Sequence, residues 1–333
     1  MTTTTASRAR PAEVAQLALW DTPEPAIHLP DWDVIAALTS GGKDSVAVKV
    51  EVARRARAHG ILDRVVAIHA DLGVMEWPGT RELAERQARH LGITRFEVVR
   101  RIKDGEFEDL LGYALRWGYW PTPAAQWCTS DLKRTPTDPL LRRLANEVLA
   151  RDPARVTPVR VLICYGMRAQ ESRRRAQQAP LEPYSRIATR TRQAMRWLPV
   201  HRWSTEQVFA VGDAAGVERH PAYALGQSRA SCVLCIYLRG DELVRAAAAN
   251  PVLAQFYELT ERTIGHRFRL DISMADVLAA VGIPPLPDDT PRDAQLWARL
   301  IEAAGDRAHR IPPTFERWAD VLTYLTEGRV SAS

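Results

Sequence analysis

The sequence predicts an α/β protein: a doubly wound, parallel five-stranded sheet followed by a helical C-terminal extension. Three observations predict it. Short apolar runs of strand length alternate with helical stretches between residues 31 and 203. The first run ends in a glycine pair that opens directly into a helical pattern. Beyond about residue 204 the pattern is mainly helical.

In chain order, residues 1–30 hold Pro11, Pro23, Pro25 and Pro30 with no sustained period, and read as a loose tail with one short helix near Glu13–Trp20. Val34–Thr39 has the continuous apolar character of a buried parallel strand. The helix after it places Val46, Val50 and Ala53 on one face and Arg54, Arg55 and Arg57 elsewhere, with Gly60 as its stop. Val65–Ala70 is the second strand, Thr80–Leu91 a helix, Phe96–Arg100 the third strand, Val159–Cys164 the fourth and Trp197–Val200 a short fifth. Such alternation implies right-handed crossovers, with ligands beyond the carboxyl ends of the strands. Trp117–Pro139, rich in Pro, Thr and Trp, reads as an irregular loop that is functional or mobile. Helices are expected at Thr205–Gly212, Asp241–Ala249 and Pro251–Ile264, then a linker at Asp288–Pro291 and a last helical segment ending near Glu327. The expected organisation is a tail over 1–30, a sheet domain over 31–240 and a helical extension over 241–330.

No apolar run approaches the roughly 18–20 residues of a membrane span, and Met1–Pro11 lacks the apolar core of a signal peptide. A cytoplasmic protein without membrane association is therefore expected. Four cysteines are too few for a disulfide framework and point to metal or catalysis. The net charge of +5 is uninformative alone, but residues 168–202 hold nine arginines against two glutamates. That segment suits a polyanion, nucleotide or nucleic acid, or else is a solvated loop.

Thr39-Ser40-Gly41-Gly42-Lys43-Asp44-Ser45, between strand and helix, carries the strongest chemical signal. Two glycines allow successive N–H groups to converge on one anion, and the helix N-terminus reinforces that preference. Ser40 and Ser45 add hydroxyls and Lys43 adds charge. Asp44 suits such a site only if a divalent cation such as Mg²⁺ bridges it to phosphate. The spacing is neither that of a Walker A loop nor that of a dinucleotide fingerprint.

Ser40–Ser45 resembles the pyrophosphate loop of the adenine nucleotide alpha-hydrolase-like superfamily, whose members bind ATP or a related adenylyl nucleotide. More narrowly, the chain resembles the phosphoadenosine phosphosulfate (PAPS) reductase family. His69-Ala70-Asp71-Leu72-Gly73 with Glu76-Trp77-Pro78-Gly79-Thr80 is similar to its second-strand segment. Gly166-Met167-Arg168-Ala169-Gln170-Glu171-Ser172 is similar to its G-x-R-x-x-E-S signature, and Cys128-Thr129 to Lys133 and Pro136 to its C-T-x-x-L-K-x-x-P segment. The resemblance covers roughly residues 32–240. It implies that Ser40–Ser45 hold phosphate oxygens, that Asp71 and Gly166 lie near the nucleotide, and that Lys43, Asp44, Lys133 and Arg168 are the catalytic groups.

Cys232-Val233-Leu234-Cys235 brings two thiols to one centre, but two ligands do not complete a tetrahedral site. The motif match makes Cys128 the third. Cys164, in the fourth strand, is either an inert buried thiol or a fourth ligand. A [4Fe–4S] cluster, structural or Lewis-acidic zinc, and a redox dithiol all remain open, and the resemblance to sulfur-handling relatives favours the cluster. His69, His201 and His220 share no ligand spacing and read as structural. The resemblance has departures: Trp127 stands before Cys128 where assimilatory reductases have a second cysteine, and no cysteine follows Cys235. The expected activity is therefore an ATP pyrophosphatase activating an acceptor, DNA or tRNA, for sulfur transfer. Its nearest resemblance is to the DNA-phosphorothioation branch, which implies a sulfur-donor protein such as a cysteine desulfurase. The alternatives are a PAPS or adenosine phosphosulfate reductase and a non-enzymatic nucleotide-binding module with a structural metal.

Overall fold

A computed structural model describes residues 27–230 and 232–330. The short helix expected near Glu13–Trp20 lies outside the described residues. Of the expected tail, Leu29 is fully buried in the core beside Trp32, so packing begins before the first strand.

The alternation produces β1 (Val34–Thr39), α1 (Lys43–Ala58), β2 (Val65–Ala70), α2 (Thr80–His90) and β3 (Arg95–Val99), each within a residue or two of its expected bounds. A small hairpin, β4 (Ile102–Lys103) and β5 (Glu106–Phe107), leads into α3 (Leu110–Trp117). Asp109 caps α3 by accepting from the Gly112 N–H at 2.8 Å. Then come a turn of helix α4 (Trp127–Thr129), a π turn at Ser130–Arg134, and the long α5 (Thr135–Arg151).

This corrects the reading of Trp117–Pro139 as irregular throughout. Pro136 sits in the first turn of α5, directly after the π turn, and Pro139 lies inside the same helix.

After β6 (Val159–Cys164) and the single-turn α6 (Arg173–Ala176), the chain adds β7 (Leu181–Pro183) and β8 (Arg192–Trp197). The sheet therefore has six strands rather than five, in the order β3-β2-β1-β6-β8-β7. All pair in parallel except β7, which runs antiparallel to β8 at the edge. The fifth parallel strand lies earlier than the expected Trp197–Val200: Arg192 and Arg196 on one face and Gln193 on the other break the apolar run that would have marked it. β7 is short, carries Pro183 and is tied to β8 by Glu182–Arg196 at 2.9 Å, features that suit an edge.

One face of the sheet packs on α1, α2 and α7 (Thr205–Ala214), the other on α5 through Leu140, Leu141 and Leu144. Strand order reverses between β1 and β6. In a doubly wound sheet that is where a ligand crevice opens, and the Ser40–Ser45 loop leaves β1 at this point.

The chain continues as α8 (Gly240–Ala249), α9 (Pro251–Ile264), α10 (Met274–Val281), α11 (Ala294–Ala304) and α12 (Trp318–Glu327). These helices share one hydrophobic core with Leu72, Trp77, α3 and the Cys232–Leu238 segment. The extension therefore has no core separate from the residues around the cysteines. No helix among the described residues is long and apolar enough to cross a membrane.

Candidate active site

Ser40, Gly41 and Gly42 make the whole turn between β1 and α1. Gly41 has φ +72°, a conformation that disfavours any side chain. Gly42 is needed for space: a Cβ there would lie 2.9 Å from the Ala230 carbonyl oxygen. Gly166, just beyond β6, meets the same limit from the other side, since its Cβ would come within 2.9 Å of the Asp44 carbonyl carbon and 3.1 Å of the Ser45 nitrogen. Ser45 Oγ donates to the Gly42 carbonyl at 2.9 Å and accepts from the Ser40 N–H at 3.2 Å, closing the loop on itself. The first N–H groups of α1 and its positive dipole end gather at this turn.

Charge is concentrated on Asp44. The buried Arg168 guanidinium donates to Asp44 Oδ1 at 2.5 Å and is fixed by the Gln170 side chain, the Trp203 carbonyl and Thr205 Oγ1. Lys43 Nζ lies 3.2 Å from Asp44 Oδ2 and donates to the Ser228 carbonyl at 3.1 Å. Asp44 thus sits between two cations, and the carboxylate expected to bridge Mg²⁺ is matched by the protein's own charges. Asp71, just beyond the carboxyl end of β2, accepts from the Gly73 N–H at 2.8 Å and pairs with Arg100 at 2.5 Å.

Several residues around the loop escaped the sequence reading. Gln87 on α2 donates to both the Gly41 and Glu218 carbonyls, at 3.1 and 2.9 Å, while its own carbonyl accepts from the fully buried Lys49 ammonium at 2.8 Å. Burial pulls Lys49 down to a pKa of about 7. The Tyr223 hydroxyl accepts from the Lys43 N–H at 2.8 Å, and burial pushes its pKa up to about 12. His220 Nδ1 accepts from the Ala222 N–H, so Nε2 carries the proton and donates to Thr80 Oγ1 at 2.9 Å. Burial holds this imidazole neutral, with a pKa of about 4. His69 is likewise buried, bonded to the Thr39 carbonyl and the Glu76 carboxylate at 3.1 and 2.9 Å. Both histidines hold structure together, as expected of them. The only sequence signal for Gln87 and Lys49 was a polar side chain on a helix face that faces inward.

The cysteines divide. Cys128, Cys232 and Cys235 belong to the core shared with the C-terminal helices, and their charges act on Lys133. Burial acts to lower the Lys133 pKa, but the thiols of Cys232, Cys128 and Cys235 and the Glu76 carboxylate carry it above its ordinary value. Burial lifts the Cys128 thiol and pushes Cys232 up to about 12. Cys164 is fully buried in the other core, under α1, with burial raising its pKa strongly. The structure therefore separates Cys164 from the other three. The donor set of three thiols suits iron or zinc in kind, and the indole N–H groups of Trp77 and Trp127 are buried in the same core without an acceptor. In arrangement it falls short: among the described residues no three His, Cys, Asp or Glu side chains converge as a ligand set.

Of the nine arginines in residues 168–202, five are held internally. Arg168 is on Asp44, Arg175 on Glu171, Arg186 on Asp138, Arg196 on Glu182 and Arg192 on the Ile187 carbonyl. Arg173, Arg174, Arg190 and Arg202 are exposed, with no ion-pair partner among the described residues. Trp197 is buried in the core and Trp203 packs against it, as core packing predicts.

A mostly parallel sheet with a glycine-rich anion loop at its switch point defines a nucleotide-binding α/β protein. Residues 34–238, well over half of the chain, match the phosphoadenosine phosphosulfate reductase domain, and the chain belongs to that family. It is 30% identical over 134 residues to an uncharacterized 37.8 kDa protein of Escherichia phage 186. That match covers 40% of this chain and 36% of the phage protein's length. Among solved structures it is similar to PAPS reductase from Candida auris, with 16% identity, a TM-score of 0.36, and coverage of 61% of this chain and 83% of that one. It is also similar to the U34-tRNA thiolase NcsA from Methanococcus maripaludis, solved with its [4Fe–4S] cluster, with 14% identity, a TM-score of 0.34, and 70% coverage of both chains.

Proposed function

We propose that this protein is an ATP pyrophosphatase that adenylates an oxygen of a nucleic-acid acceptor, DNA or tRNA, so that sulfur can replace it. The acceptor oxygen attacks the α-phosphorus of ATP, pyrophosphate leaves, and a sulfur nucleophile later displaces AMP. The observation that carries this reading is the Ser40–Ser45 turn at the β1/β6 switch point. Its amides, hydroxyls and neighbouring cations are the groups that leaving-group charge on pyrophosphate requires. Family membership supports an adenine nucleotide as ligand, and Mg²⁺ would accompany its phosphates. The exposed arginines after β6 support a polyanionic acceptor.

Cys128, Cys232 and Cys235 are the residues on which we place a metal, a [4Fe–4S] cluster with zinc as the alternative. No step is routed through it, because the thiols do not converge. A sulfur-donor protein such as a cysteine desulfurase would supply the sulfur in the cytoplasm. The test is AMP and pyrophosphate release from ATP, with and without DNA or tRNA, using Asp44→Ala and Cys232→Ala as controls. ATP left intact under every condition would remove the reading. A reductase reading is favoured by membership of the PAPS reductase family, and sulfite release from labelled sulfonucleotide would establish it instead.

A further inference from the structure

Two donors of the loop, the backbone N–H and the ammonium of Lys43, are both used by one segment of the same chain. The Lys43 N–H donates to the Tyr223 hydroxyl at 2.8 Å, and the Lys43 ammonium donates to the Ser228 carbonyl at 3.1 Å. The same ammonium lies about 6 Å from the ring centres of Tyr223 and Phe209. Ala230 lies against Gly42, so the segment also limits access to the turn by its backbone. Its ends are also fastened to other elements, one of them through Gln87, which holds the Gly41 carbonyl as well. At one end Gln87 holds the Glu218 carbonyl and Thr80 holds His220. At the other, the Glu242 carboxylate accepts from the Ser228 N–H at 2.7 Å and the Glu242 carbonyl accepts from Gln227. Between these anchors the Tyr223 side chain is carried by a single 3-10 turn, Pro221–Tyr223, whose Ala222 is buried in the C-terminal core, and by Gly226 at φ +74°.

We propose that residues 218–230 form an autoinhibitory strap over the phosphate loop, with the Tyr223 hydroxyl as its latch in the place of a phosphate oxygen. The proposal rests on the reading of Ser40–Ser45 as a nucleotide phosphate site. A phosphate oxygen and the Tyr223 hydroxyl compete for one N–H, so nucleotide binding includes the cost of releasing the latch. Tyr223→Phe keeps the ring packed on Phe209, their centres 5.1 Å apart, and removes only the acceptor. The Lys43 N–H then lacks its partner in the strapped form, and the balance moves toward anion binding by about fivefold, the worth of one hydrogen bond.

The experiment is calorimetry with inorganic pyrophosphate and with Mg-ATP on wild type and Tyr223→Phe, alongside amide hydrogen exchange of residues 40–45 and 218–230. The expected result is tighter binding of both ligands by Tyr223→Phe. In wild type, pyrophosphate should speed exchange in 218–230 while slowing it in 40–45. Binding that is unchanged or weaker in Tyr223→Phe, or a strap that stays protected when ligand binds, overturns the strap and leaves the phosphate site standing. No heat and no exchange change at 40–45 in either protein overturns both.

Discussion

Arg168 and Asp44, 124 residues apart in sequence, meet at 2.5 Å across the switch point between β1 and β6. Both side chains are largely shielded, and the guanidinium has three further partners from the chain following β6 and the start of α7. The pair therefore fastens the loop to the second half of the sheet. Removing Arg168 leaves the shielded Asp44 carboxylate with the Lys43 ammonium alone and strips the sheet's second half of its fastening, which costs more than the pair contributes. Arg168→Ala is expected to destabilise the protein by about 3 kcal/mol, measured by urea unfolding. If Arg168 instead served only the ligand, urea midpoints would match wild type while ATP affinity fell.

Gly166 supplies the second fastening, by shape. A methyl group there meets the backbone of Asp44 and Ser45 at about 3 Å, and neither backbone is a flexible side-chain end that can swing aside. Gly166→Ala is expected to cost about 1–3 kcal/mol and to weaken ATP binding by more than tenfold, about 1.4 kcal/mol. A variant with wild-type affinity would show that the loop tolerates displacement from β6.

The loop and its position were legible because they depend on local chemistry: an apolar run, two glycines and a helix start follow one another directly between Val34 and Ser45. The carboxyl end of β6 was legible for the same reason. β8 was not, because Arg192 and Arg196 interrupt one face and Gln193 the other, so neither an apolar run nor a clean alternation marks the strand. Tyr223, Gln87 and Lys49 were beyond reach for another reason. Each acts through a partner 38 to 180 residues away, and nothing in a local pattern marks such a partner. The division of the cysteines was half visible: spacing joined Cys232 to Cys235, but only the sheet register, which sets Cys164 opposite Ala37 and Trp197, shows Cys164 facing the other core.

Lys49 gives a pH signature. Its folded pKa is lowered by burial to about 7, against an ordinary 10.5. Between those values the unfolded chain binds a proton that the folded chain does not, so this residue makes stability rise with pH across the window from 7 to 10.5. Below that window both forms are protonated and its contribution is flat at its least favourable level. Lys49→Met removes this proton uptake, so the variant's stability should depend less steeply on pH between about 7 and 10. The difference should total a few kcal/mol, since each tenfold change in proton affinity is worth about 1.4 kcal/mol. Parallel slopes for the two proteins in urea unfolding across that pH range would contradict the assignment.

The separation of the thiols predicts a metal pattern. In anaerobically prepared protein, Cys164→Ala should keep its iron or zinc content, because this side chain packs beneath α1 in the core that holds Ala37 and Trp197. Its cost is a small cavity, about 1 kcal/mol. On the proposed placement of a metal at the other three thiols, Cys128→Ser, Cys232→Ser and Cys235→Ser should each lose it. Loss of metal from Cys164→Ala at an unchanged thermal midpoint would put Cys164 among the ligands and require the strand to be rebuilt.

The exposed arginines predict how a nucleic acid would be held. Arg173, Arg174, Arg190 and Arg202 keep their charge free of internal carboxylates among the described residues, whereas Arg168, Arg175, Arg186 and Arg196 do not. A phosphate backbone binding this region should therefore release counterions to solution on meeting the first set. Each arginine that meets a phosphate contributes about 0.7–0.9 to the slope of log affinity against log salt. The quadruple alanine variant should bind DNA or tRNA more weakly at about 0.1 M salt and show a shallower slope. Its affinity for ATP should be unchanged, since none of the four contacts the Ser40–Ser45 loop. A shallower slope for only one of the two nucleic acids would identify the acceptor class. A slope unchanged for both, measured by fluorescence anisotropy, would return these arginines to the role of a solvated surface.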